Sequence, residues 1–172
     1  MRMTETNGGA ARWRTGGVQD FASSELFDRT FQEGMELVEE TAAYLDGSGR
    51  QDSKMLSRSA ALAYAGESMR LTTRLMQVAS WLLVQRAVRE GDMNPSEASQ
   101  ERYRLADPAE DSRPAPVDDL PAGLLQLLER SARLYERVLH LDKRMYRDEV
   151  ADGAANAVLS QFEKLNAAFG RN

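Results

Sequence analysis

The sequence predicts an all-α protein: a three-helix bundle with long antiparallel helices, a proline-rich connector and a short C-terminal amphipathic helix. Three observations carry that expectation. The stretch 53–90 contains no proline, and only Gly66 departs from a helix-forming composition. Apolar residues recur at spacings of three, four and seven along three separate stretches. All five prolines of the 172-residue chain fall between Gly91 and Pro121, setting a third helix apart from the first two.

Residues 1–20 hold Gly8, Gly9, Gly16 and Gly17 among polar residues and read as a flexible arm. Within it, Arg12, Trp13 and Arg14 form a candidate docking triplet. The bundle is expected over 21–148. Its first helix starts at a Ser23 or Ser24 cap and ends near Asp46, before Gly47. Phe27, Phe31, Met35, Val38, Ala42 and Leu45 form the expected buried stripe, widened by Leu26, Leu37, Thr41 and Tyr44. Seven acidic residues stand against Arg29 alone between Phe21 and Asp46, whereas 53–90 carries six basic and two acidic residues. That contrast predicts antiparallel neighbours joined by a short turn over 47–51.

The second helix, one uninterrupted element over 53–90, is expected to span roughly 55 Å at about 1.5 Å per residue. Met55, Leu62, Met69, Met76 and Leu83 recur every seven residues, and Ser59, Gly66, Thr73, Ser80 and Ala87 follow each by four. Large residues beside small ones suit a closely approaching neighbour helix. Tyr64, Leu71, Leu75, Val78 and Leu82 extend the apolar side to about half the circumference, more than one neighbour covers. Near the C-terminal end, Trp81, Val84 and Val88 add apolar groups to a face that Ala63, Glu67, Arg70, Arg74 and Gln77 keep small or polar. The excess implies cover from a second chain or from the tail. The expected partner surface is therefore Trp81, Val84 and Val88 with Arg70, Arg74 and Gln77.

Asn94, Pro95 and Glu97 predict a cap and a short helix to about Leu105. The connector, 106–119, reads as extended or disordered. The third helix starts at Pro121 or Ala122 and runs to about Asp148. Leu120, Leu127, Leu134 and Leu141 form one seven-spaced column, and Leu124, Ser131, Val138 and Met145 a second. After Gly153, Val158, Phe162 and Leu165 mark a weaker amphipathic helix within a tail over 149–172. This is either a fourth packed helix or a docking peptide, and truncation after Gly153 separates the two.

Chemistry is sparse. With no cysteine, disulfides, thiolate metal sites and cysteine nucleophiles are excluded. The net charge of −5 argues against a general nucleic-acid binder. No apolar run reaches the length of about 18 residues that a membrane span needs, and the N-terminus lacks a signal-type apolar core, so a cytoplasmic protein is expected. His140, the one histidine, has no nucleophile or carboxylate motif beside it and reads as a solvated rim residue. Glu33, Glu36 and Glu40 share a helix face, but no Glu-x-x-His pair accompanies them, so a solvated acidic face is expected rather than a metal site. No glycine-rich phosphate loop is present. Arg70 and Arg74, one turn apart, form either an anion clamp or a surface pair with Glu67. No enzyme, cofactor or metal is expected. A transcriptional regulator or DNA-associated helical protein is the alternative reading. It rests on the six basic residues of the second helix and lacks a helix-turn-helix signature.

Residues 24–35 (SELFDRTFQEGM), 38–47 (VEETAAYLDG) and 67–88 (ESMRLTTRLMQVASWLLVQRAV) resemble the RcdA family, the regulators of CtrA degradation of alphaproteobacteria. The resemblance covers about 22–146, detailed through the first two helices and looser in the third. It implies a non-enzymatic three-helix bundle that forms a homodimer and acts as an adaptor for the ATP-dependent protease ClpXP. It further implies partners of the CpdR and PopA type, cell-cycle transcription factors as cargo, and transient localisation at the cell pole.

Overall fold

Ser24 starts the first helix by accepting the Phe27 backbone N–H on its hydroxyl, at 3.2 Å. The computed structural model describes Ala22 and residues 24–106 and 119–169, with side chains in the last helix described up to Met145 and at Ser160, Gln161 and Lys164. The expected arm and residues 107–118 of the connector lie outside the described residues. In order, the elements are α1 (Glu25–Asp46), α2 (Ser48–Lys54), α3 (Arg58–Glu90), α4 (Pro95–Ala98), a 3-10 turn (Glu101–Tyr103) and α5 (Ala122–Phe169). No strand occurs among the described residues, and the all-α expectation holds.

Cross-helix contacts fix the directions. Arg89 of α3 pairs with Asp28 of α1, while Val38 and Ala79 line one cleft further along, so numbering falls on one helix as it rises on the other. Arg137 reaches Glu33, and Arg130 reaches Glu40 at 2.6 Å, so α1 and α5 are antiparallel too. By contrast, Arg74 meets Ser131 and Trp81 meets Asp142, which makes α3 and α5 parallel and corrects the expectation of antiparallel long helices for this pair. The chain after α3 must therefore climb back along the bundle before α5 begins. The acidic face of α1 finds its cations largely on α5 rather than on α3, since Glu33 and Glu40 both pair there.

Both expected columns of α5 are in the core: Leu124, Ser131, Leu134 and Val138 are fully buried, Leu120, Leu127 and Met145 nearly so, and Leu141 packs against them. The stripe of α1 is rotated from the expected one. Its centre is Phe27, Thr30, Gly34, Leu37 and Thr41, with Phe31, Met35 and Val38 on the flank and Ala42 exposed. The cause is Gly34: a Cβ there would lie 2.7 Å from Leu82 Cδ1, so its absence draws α3 onto this line of α1.

Three expected boundaries are corrected. The stretch 53–90 is not one helix: α2 ends at Lys54, and α3 begins only after Ser57 turns extended (φ −60°, ψ 162°) and caps Ala60 N–H. Serine gains more by capping than by continuing a helix, which breaks the rod without glycine or proline. The supposed turn 47–51 is mostly α2, with Gly47 alone as the joint. The C-terminal helix is not separate either, because α5 runs 48 residues unbroken to Phe169. A lone Gly153 costs a helix only about 1 kcal/mol relative to alanine, too little to stop it.

At the end of the bundle where α5 starts, the Tyr44 ring fills the space left by two glycines. A Cβ on Gly49 or on Gly123 would lie 2.5 Å from its Cε1 or Cε2. Burial, reinforced by Tyr64 and Asp52, pushes the Tyr44 phenol up to about 12. The folded state thus holds this proton more tightly than the unfolded chain, whose value is 10.0. Stability from this group is fully present below pH 10 and is lost as the pH rises from about 10 to about 12. Absorbance titration of phenolate should show ionisation extending above the ordinary tyrosine range, because burial raises Tyr64 as well, and Tyr44→Phe should remove the Tyr44 step and lessen the alkaline loss of stability.

Candidate protein-contact face

Helix α3 presents three sides. One carries Leu71, Leu75, Val78 and Leu82 into the core. A second meets α5 and the returning connector. The third faces out, and it is made of the seven-spaced column that the sequence shows. Met55 is 87% exposed, Leu62 77%, Met69 72%, Met76 65% and Leu83 52%. The small column lies beside it, and a Cβ on Gly66 would meet nothing within 4 Å. From Leu62 to Leu83 the exposed residues also include Ala65, Thr72, Thr73, Gln77 and Ser80, and none of them is charged. At about 1.5 Å per residue this uncharged strip is roughly 30 Å long. Within it Leu62, Met69, Met76 and Leu83 are large exposed hydrophobic side chains, interleaved with uncharged polar and small residues. Met76 is its ridge, with a cleft of about 320 Å³ against Val38 and Thr41 of α1 on one side. A groove of about 410 Å³ against Tyr103 and Leu105 lies on the other.

The expected partner surface is corrected by burial. Trp81 is 2% exposed and Val88 4%, both in the core, and Val84 is half-buried against it. The reason is a clasp that closes the connector onto the bundle. Asp142, buried on α5, accepts Trp81 Nε1 at 3.0 Å on one oxygen. On the other oxygen it accepts Arg104 Nε at 3.2 Å and Nη2 at 3.0 Å. Two residues on, the Tyr135 hydroxyl donates to the Ala106 carbonyl, and Leu105 is buried. Trp81 therefore anchors the climbing chain. The helix does have excess apolar circumference, but on a flank adjoining the expected one, across the groove that Met76 and Trp81 both line.

Arg70 and Arg74 do not form a shared clamp. Arg70 pairs with the buried Glu67 at 2.9 Å. Arg74 turns towards α5, donating to Ser131 Oγ at 2.9 Å and to the Leu128 carbonyl at 3.3 Å. Burial foremost, and then the neighbouring Arg70, lower the Arg74 pKa. Gln77 is exposed beside Met76. Arg86 pairs with Glu90 and Arg89 with Asp28, so four of the six basic residues in 53–90 are engaged within the chain. That removes the continuous basic stripe a DNA-binding reading requires. His140 is exposed, in a groove with Leu26, Glu33 and Arg137. Glu36 accepts from Gln32 at 2.9 Å, so all three acids of that α1 face have protein partners. Among the described residues, no group of three or more His, Cys, Asp or Glu could hold a metal. No described helix is long and apolar enough to cross a membrane. The side chains of Val158, Phe162 and Leu165, expected to dock the tail, lie outside the described residues, although the backbone there is helical.

Sequence reasoning missed the clasp. Its signal is Asp142 itself, an acid in the otherwise apolar seven-spaced column Leu128, Tyr135, Asp142. A carboxylate at a core position demands donors nearby.

Fold and face together define an all-α bundle whose central helix carries an uncharged, partly apolar outward flank. A family of proteins of unknown function, DUF1465, matches residues 18–169. The chain is also similar to the crystal structure of RcdA from Caulobacter crescentus CB15. Identity is 70%, 74% of this chain and 97% of that chain are covered, and the TM-score is 0.62. No curated protein matches. The chain belongs to the RcdA family, and its match to DUF1465 extends beyond the stretch 22–146 that carries the resemblance.

Proposed function

We propose that this chain is a non-enzymatic adaptor that works as a homodimer and helps deliver cell-cycle transcription factors to ClpXP. Adaptors of the CpdR and PopA type are its companions, in the cytoplasm and transiently at the cell pole. Kinship with RcdA supports the reading. The observation that carries it is the uncharged outward flank of α3 from Leu62 to Leu83. That flank is self-complementary: large residues of one copy fit against the small column of another at a shallow crossing angle. A two-fold pairing of this kind uses the same patch on both protomers. Gln77 lies inside the patch, whereas Arg70 and Arg74 set its inner edge against α5.

A reconstituted degradation assay tests the adaptor role. With purified protease, companion adaptors and a labelled transcription factor, cargo should disappear several-fold faster when this chain is added. Equal rates with and without it would sink the proposal. A salt-sensitive shift of random DNA by the purified protein would favour the DNA-associated alternative instead.

A further inference from the structure

We propose that the outward flank of α3 is an oxidation-sensitive contact: a hydroperoxide that converts Met69 and Met76 to sulfoxides separates the paired protomers. This rests on the reading of that flank as the self-association surface. The chain has eight methionines and no cysteine, so no thiol in it intercepts the oxidant. Among the described methionines, Met55, Met69 and Met76 stand open to solvent, whereas Met145 is 8% exposed and Met35 and Met93 are half-buried. Two of the three open thioethers, Met69 and Met76, therefore lie on the outward flank of α3, and that flank is the contact.

The reaction transfers one oxygen atom. The sulfur lone pair attacks a peroxide oxygen, the O–O bond breaks, and an S–O bond forms. The sulfur loses two electrons, and with hydrogen peroxide the second oxygen leaves as water. The product is a polar acceptor oxygen on a side chain whose apolar tip has to pack dry against the opposite helix. Met69 and Met76 sit in the middle of the strip, so their oxidation acts where burial is greatest. Met55 lies in the joint before α3, at the strip's end. Association and oxidation also oppose each other, because a paired flank shields its own sulfurs. Oxidation of Met69 and Met76 should slow as protein concentration rises, while oxidation of Met55 slows less.

The test treats the full chain with hydrogen peroxide, locates added oxygen by peptide mass spectrometry and measures self-association by sedimentation. Sulfoxide at Met69 and Met76 should weaken association roughly tenfold or more, with helicity unchanged, and methionine sulfoxide reductases should restore it. The triple variant Met55→Leu/Met69→Leu/Met76→Leu keeps the apolar flank and should associate normally but ignore peroxide. Oxidation at both positions without loss of association would overturn this inference and leave the contact surface standing. So would a leucine variant that remains peroxide-sensitive. An untreated protein that is monomeric at all concentrations would remove the contact surface and this inference with it.

Discussion

On the proposed pairing through α3, Met69→Asp together with Met76→Asp should leave the protein monomeric without loosening its fold. Both side chains are largely solvent-exposed within the chain, so the folded monomer loses little, within about 0.5 kcal/mol per site. In a dimer the same positions become dry. Losing burial of each methionine removes about 1.5–3 kcal/mol, and a carboxylate in its place adds a desolvation cost. Association should weaken by roughly a thousandfold or more. Sedimentation equilibrium reads the first effect and thermal unfolding of the monomer the second. A double variant that still dimerises with wild-type affinity would place self-association elsewhere on the molecule. Loss of adaptor activity in the same variant, with stability intact, would tie the flank to cargo delivery.

Asp142→Ala should be among the most damaging single changes in the chain, and it acts on stability. One carboxylate accepts both the indole N–H of Trp81 and the guanidinium of Arg104, joining α3, α5 and the returning connector. Its removal strips both donors of this acceptor in a site where Asp142 and Trp81 are almost sealed from water. Breaking a buried ion pair costs about 3–5 kcal/mol, and partial exposure of Arg104 points to the lower end, about 3 kcal/mol. At 2–4 °C per kcal/mol for a chain of this size, the melting temperature should fall by about 10 °C. Trp81→Ala should cost as much or more through the cavity it leaves, about 3–5 kcal/mol. Trp81→Phe keeps most of the volume and the Arg104 pair, and should be milder. Hydrogen exchange should rise across residues 95–106 in Asp142→Ala, since the clasp ties down that segment. Unchanged exchange there would mean that Ala98, Leu105 and the Tyr135 contact suffice to hold the connector without the clasp.

The clasp also shows where sequence reading misplaced a surface. Trp81, Val84 and Val88 appear as an addition to the polar side of α3, which makes them look like a docking patch. They pack inside because 16 residues after α3 fold back over that side, carrying Arg104 and Leu105 to Asp142 and the core. A helical wheel has no knowledge of a returning loop. The seven-spaced column of Met55, Leu62, Met69, Met76 and Leu83 is plain in the sequence, yet periodicity suggested it met a neighbour within the bundle. In α1 the error was smaller: Gly34 pulled the buried line from Val38 and Ala42 towards Leu37 and Thr41.

The sequence by itself determined that this chain is helical, that α1 and α3 run antiparallel, that α5 buries two heptad columns, and that it belongs to the RcdA family. These follow from local propensity, proline placement, apolar periodicity and residue identity, whereas the charge contrast pointed to the right direction for α1 and α3 through pairs that form mainly with α5. Only the tertiary structure decided which flank of α3 stays open and which is closed. A helix with large apolar residues on more than one side does not fix its own phase, so the choice falls to contacts far apart in sequence, Trp81 with Asp142 and Gly34 with Leu82. Those contacts seal one greasy side of α3 and leave the methionine side exposed.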